Sequence, residues 1–158
     1  MKINLILLSL FLMFAACSTT KQVRTSQRGL KGSWTLSSVS TDRGNTVSIK
    51  TLFNQASPSC FENSSWNFVS NNNSGTYRFN NGSCDDSTHS IKWFMKDNGD
   101  EISFLWKFIP EGMKAKDVKA GYELKLISES ESEFFLAQNA ILEGSTITIY
   151  YQFVKNQE

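Results

Sequence analysis

Few side chains in this chain are equipped for catalysis: it holds one histidine and three cysteines in 158 residues. His89 follows Asp85, Asp86, Ser87 and Thr88, the residue types of a triad or an oxygen-rich metal site. A triad needs its base placed between nucleophile and orienting carboxylate, which normally requires separate segments to converge. Five neighbours in one turn-forming run predict a solvated loop instead. Glu129, Glu131 and Glu133 alternate with serines and could gather a cation, but they read as the charged tip of a hairpin. Lys114, Lys116 and Lys119, set between Gly112 and Gly121, read as a second solvated loop rather than an anion site. The expectation is a protein that is not an enzyme, with no catalytic residue, no metal site and no cofactor.

The cysteines separate into one and two. Ahead of Cys17 lie Lys2, a mostly apolar run from Ile3 to Phe14, and the small residues Ala15 and Ala16. A positive start, a short apolar run and a small-residue cleavage site make a secretory signal. The run is shorter than the roughly 20 apolar residues a membrane-spanning helix requires. Met13-Phe14-Ala15-Ala16-Cys17 resembles the bacterial lipobox, in which cleavage falls before the cysteine and its thiol carries lipid. Three segments follow: residues 1–16 as lipoprotein signal peptide, 17–29 as lipidated cysteine and flexible polar tether, and 30–158 as the folded domain. The alternative is an ordinary signal peptide that takes Cys17 away with it. With Cys17 spent on lipid, Cys60 and Cys84 remain as an even pair, in a compartment where disulfides persist. A metal site is the rival for that pair, with only His89 to complete it.

Charge narrows the partners. Of the 16 basic residues only Lys2 precedes the cleavage point, so the mature chain balances its 15 acidic residues with an equal number of basic ones. That balance excludes the basic face that nucleic acid requires. It also leaves membrane attachment to the lipid on Cys17, since stable anchoring without a basic patch takes more than one acyl chain.

From Gly32 onward the apolar residues recur every two positions, the period of a half-buried strand. Trp34, Leu36 and Ser38 share a face, as do Trp66 and Phe68, then Tyr77 and Phe79. Ile91, Trp93 and Met95 alternate with Lys92, Phe94 and Lys96, and the longest run is Ile102, Phe104, Trp106 and Phe108. Tyr122, Leu124 and Leu126, then Phe134 and Leu136, then Ile147, Ile149, Tyr151 and Phe153 complete eight strands. Turn chemistry lies at Asn71–Gly75, Asn80–Gly82, Asp97–Asp100 and Glu143-Gly144. Lys50–Gln55 predicts one short helical turn, and no other helix is expected in the mature chain. Eight antiparallel strands with short connections predict an all-β, up-and-down barrel, which leaves no exposed edge. A two-sheet sandwich is the rival.

Leu30-Lys31-Gly32-Ser33-Trp34 resembles the G-x-W opening of lipocalin-like barrels. The resemblance is closest to the lipocalin-like lipoproteins of Bacteroidota, on the lipobox, Cys60, Trp66-Asn67-Phe68, Gly75-Thr76-Tyr77, Cys84 and the closing Ile147–Phe153. It implies that Gly32 and Trp34 start the first strand and close one end of the barrel, with Lys155 the one basic residue positioned to cover the tryptophan. It also makes Asp86-Ser87-Thr88 a match to an O-glycosylation acceptor pattern. No acidic cluster follows Cys17, which in that group favours the periplasmic face of the outer membrane over the cell surface.

Trp66, Phe68, Tyr77, Phe79, Trp93, Phe104, Trp106, Tyr151 and Phe153 would converge inside such a barrel. An eight-stranded barrel holds either packed side chains or one small ligand. Two functions follow. One is a lipid-anchored envelope protein that binds a small hydrophobic ligand. The other is a protein-interaction module, an inhibitor of an exported hydrolase or an assembly factor, with a filled interior. An open apolar cavity favours the first and a packed interior the second.

Overall fold

Period-two alternation gives eight strands whose apolar faces all turn inward. The computed structural model describes residues 21–157; the signal-peptide segment and Cys17 lie outside them. The strands are β1 (Gly32–Thr41), β2 (Ser64–Val69), β3 (Ser74–Arg78), β4 (His89–Asp97), β5 (Ile102–Ile109), β6 (Tyr122–Glu129), β7 (Glu133–Leu142) and β8 (Ser145–Lys155). Each pairs antiparallel with its neighbour in sequence, and β8 returns to β1 to close the barrel. Closure gives every strand two partners and rules out the sandwich.

Small features set the register. Glu143 and Gly144 both have positive φ, +50° and +78°, the conformation a two-residue hairpin needs to follow the strand twist. In β1 the register against β8 shifts between Leu36 and Ser38. Such a bulge moves the following residues to the other face. Val39, opposite Tyr151, therefore packs on the core, and the reading that put Ser38 on the face of Trp34 and Leu36 is corrected.

Two further corrections concern helices. Residues 21–29 form a helix, α1, where a flexible tether and no helix were expected. Its inner face is Val23, Ser26 and Leu30, with Ser26 and Leu30 buried. Only one of those three belongs to the helix and is apolar, so the segment shows no hydrophobic period. Lys50–Gln55 forms no helix: Phe53 and Asn54 both take φ +53°, and an isolated bridge joins Leu52 to Ala56. The short helix α2 comes later, at Pro58–Phe61. Proline's fixed φ suits the first position of a helix, where its missing N–H costs nothing.

Candidate functional site

The barrel's two ends are built differently. At one end Trp34 is wholly buried and donates from Nε1 to the Leu30 carbonyl at 2.8 Å. Its ring meets Phe134 edge-on at 4.8 Å, and the Lys155 ammonium lies 5.4 Å from the ring centroid. Gly32, two residues earlier, has φ +115°, a conformation open to glycine and strained for other residues. Helix α1 lies across this end: the Ser26 hydroxyl donates to the Glu129 carboxylate, and Gln27 donates from Nε2 to Asn73 Oδ1 at 2.6 Å. These contacts reach the end of β6 and the β2–β3 turn, so α1 caps the closed end.

The opposite end is the mouth, where the long β1–β2 connection, residues 42–63, folds over the opening. A disulfide between Cys60 and Cys84 ties that connection to the β3–β4 loop, with 5.8 Å between Cα atoms. Two rings hang from it into the barrel, Phe61, wholly buried, and Phe53, 5 % exposed. The Phe53 ring lies 4.9 Å from Trp106, 5.0 Å from Tyr122, 5.2 Å from Tyr151 and 5.6 Å from both Phe61 and Phe108. Its carbonyl accepts a hydrogen bond from the Tyr122 hydroxyl.

Burying a phenylalanine stabilises by about 1.5–3 kcal/mol, and favourable ring contacts add about 0.5–1.5. Against this, a left-handed backbone costs a bulky residue roughly 1–2 kcal/mol. Trp106 Nε1 is buried without a hydrogen-bond partner, which costs about 1–3 kcal/mol. The Trp106 cost falls on the cage and not on Phe53, so burial and ring contacts outweigh the backbone strain at Phe53.

Around and below these two loop rings all nine rings read from the sequence are buried: Trp66, Phe68, Tyr77, Phe79, Trp93, Phe104, Trp106, Tyr151 and Phe153. Trp66 stacks on Trp106 at 5.0 Å and on Tyr77 at 4.9 Å, and Trp93 stacks on Phe104 at 5.5 Å. Burial and, secondarily, the Asp85 charge push the Tyr77 phenol up to about 12. Burial also raises Tyr151, whose hydroxyl donates to Gln138 Oε1 at 3.0 Å. The described clefts include one of about 740 Å3 beside the mouth, between residues 46–51 and the β7–β8 hairpin. Its floor includes Ile147 and Ile149, which precede Tyr151 on the inner face of β8. Val47, Ile49, Ile141 and Leu142 line its sides.

The other sequence candidates do not assemble. Asp85 Oδ2 and Ser87 Oγ both approach the same His89 nitrogen, Nε2, at 3.4 and 3.2 Å. A relay needs one partner on each nitrogen, so this is a surface cluster. Hydrogen bonds from Ser87 hold the Asp85 carboxyl below its usual range. Glu129 accepts from Ser26 and Glu133 from Gln152, while Glu131 is exposed, so the glutamates do not converge. Lys114, Lys116 and Lys119 are exposed, as are Ser87 and Thr88. Among the described residues no group of three or more potential ligands converges as a metal site.

A family model described as a lipocalin-like domain matches residues 30–134, from the start of β1 to the first residues of β7. The chain belongs to the lipocalin-like family. No curated protein matches it. The family match stops before β8, yet this lipocalin-like barrel is closed by β8, whose ladder to β1 spans Thr41 to Trp34. Sequence reasoning missed Phe53 and Phe61 because they sit in a connection with no period. The available signal was two aromatics flanking a proline in an otherwise polar stretch.

Proposed function

We propose that this lipocalin-like barrel is a lipid-anchored protein of the cell envelope that binds a small hydrophobic ligand at its mouth and is not an enzyme. The observation that carries the reading is Phe53, a loop residue whose ring occupies a cage of strand aromatics on a strained backbone. Rings fixed on strands are core; a ring delivered by a loop occupies a place that another molecule can take. The cleft beside the mouth, lined by Val47, Ile49, Ile147 and Ile149 among polar neighbours, lies on the same side of the barrel as Phe53. Cys17 would carry the lipid, four residues ahead of residue 21, where α1 is first described. Because α1 lies at the closed end, an anchor there turns the mouth away from the membrane. We place the domain on the periplasmic side of the outer membrane, from the lipobox and from the absence of an acidic cluster directly after Cys17, as the resemblance to Bacteroidota lipoproteins implies.

Native mass spectrometry of protein purified from its own host tests this. A mass excess that is lost on activation and matches a small apolar molecule is expected. Bare acylated polypeptide, together with no binding on titration with apolar compounds of varied shape, would remove the proposal. The packed interior favours a second reading, an interaction module for an exported hydrolase or an assembly partner. In that case the host protein carries no small molecule, and mutations of the exposed loops, not of Phe53, abolish activity.

A further inference from the structure

The cage around Phe53 selects for a chemical class, and we propose that it receives an uncharged, flat aromatic ring bearing a hydrogen-bond acceptor. This rests on the binding reading above and narrows it. The shape of the place comes from the rings around it. Phe53 lies nearly parallel to Tyr151, at 30°, while Trp106 and Tyr122 stand steeply to it, at 84° and 72°. A slot with one stacking wall and two edge-on walls suits a ring, which loses little conformational freedom on entering it. A flexible alkyl chain loses much more.

Hydrogen bonding specifies the acceptor. Three of the four indoles have partners: Trp34 donates to the Leu30 carbonyl, Trp66 to Ser64 Oγ and Trp93 to the Ser74 carbonyl. Trp106, which touches Phe53, has none. The Phe53 backbone carbonyl holds the Tyr122 hydroxyl and stays in place when only the ring is lost. The one unpartnered donor therefore belongs to a ring that borders the place of Phe53. Charge is excluded by the walls: the buried polar residues among those described are Ser26, Ser64 and Ser103, with no lysine, arginine, aspartate or glutamate. An ionised ligand would lose its hydration with no countercharge to replace it.

The test uses Phe53→Gly, which empties the place and accepts the left-handed backbone without strain. Calorimetric titrations of this variant and of the wild type use coumarin, coumarin-3-carboxylate and 1-decanol. Coumarin is expected to bind the variant at least tenfold more tightly than it binds the wild type, and tenfold more tightly than either other probe binds the variant. In 15N spectra it should move the Trp106 indole N–H, assigned by its loss in Trp106→Phe, and leave the Trp34 signal in place. Equal binding of decanol or of the carboxylate overturns the ligand class while the binding reading stands. Coumarin binding that leaves the Trp106 signal unmoved overturns the acceptor. Failure of every probe to bind either protein removes the binding reading itself. Should Phe53→Gly not fold, the wild type near coumarin saturation must show the same indole shift, and its absence refutes the proposal.

Discussion

Replacing both Cys60 and Cys84 with alanine removes a bridge that closes a loop of sequence separation 24. In the chain-entropy model such a loop is worth about 3.5 kcal/mol at 25 °C. Both residues are only partly buried, so their truncation adds little cavity cost and the entropy dominates. Unfolding entropy of about 2.1 cal/mol/K per residue gives roughly 0.3 kcal/mol/K for a domain of this size, so the midpoint should fall by about 12 °C. Circular dichroism melts in non-reducing buffer measure this directly. Dithiothreitol should lower the wild-type midpoint toward that of the double variant and leave the variant unchanged. Midpoints within about 2 °C of each other, less than 1 kcal/mol on the same scale, would refute the claim that the bridge constrains the chain. Replacing both cysteines avoids a free thiol that could cross-link copies and mask the result.

Other outcomes follow from the same structure. Cys17→Ser should release the protein from membranes into the soluble fraction; continued sedimentation with membranes counts against the lipid anchor. Ser26→Ala should cost about 1 kcal/mol in urea unfolding, after discounting a charge-assisted hydrogen bond for the exposure of Glu129; no change would show that α1 does not cap the barrel. Tyr77 is held neutral in the fold, its phenol raised from 10.0 to about 12 by burial and then by Asp85. Its contribution to stability is therefore complete below pH 10 and is lost as pH rises from 10 to 12. Absorbance titration of the four tyrosines should show Tyr77 and Tyr151 ionising late, and a single common transition near 10 would contradict their burial.

Eight strands, their order and nine of the interior rings were legible because a two-residue period reports directly which side chains face inward. The period fails where the backbone departs from a regular strand. At Leu36 and Ser38 a bulge shifts the register, and the inner position passes from Ser38 to Val39. In α1 the buried face contains Ser26, whose hydroxyl is tolerated inside because Glu129 accepts its hydrogen bond. That partner lies far along the chain, so no local pattern announces it. The same holds for Phe53, whose cage is drawn from β5, β6 and β8.

The residues that the period revealed and those it concealed differ in how they can move. A strand ring such as Trp66 is fixed through two ladders, since β2 pairs with both β1 and β3. Displacing it means breaking the closure that holds all eight strands. Phe53 is held by its ring contacts, by an isolated bridge between its neighbours Leu52 and Ala56, by the Gln55 N–H bonded to the Leu52 carbonyl, and by bonds to its own carbonyl from Tyr122 and from Gln55 Nε2. That turn belongs to no ladder of the barrel, and the disulfide ties the far side of the loop to the β3–β4 connection. Regular alternation therefore marks the permanent frame, because only paired strands impose it. The exchangeable ring that the binding proposal requires would come from a segment without that pairing, which is where the hydrophobic pattern falls silent and where Phe53 lies.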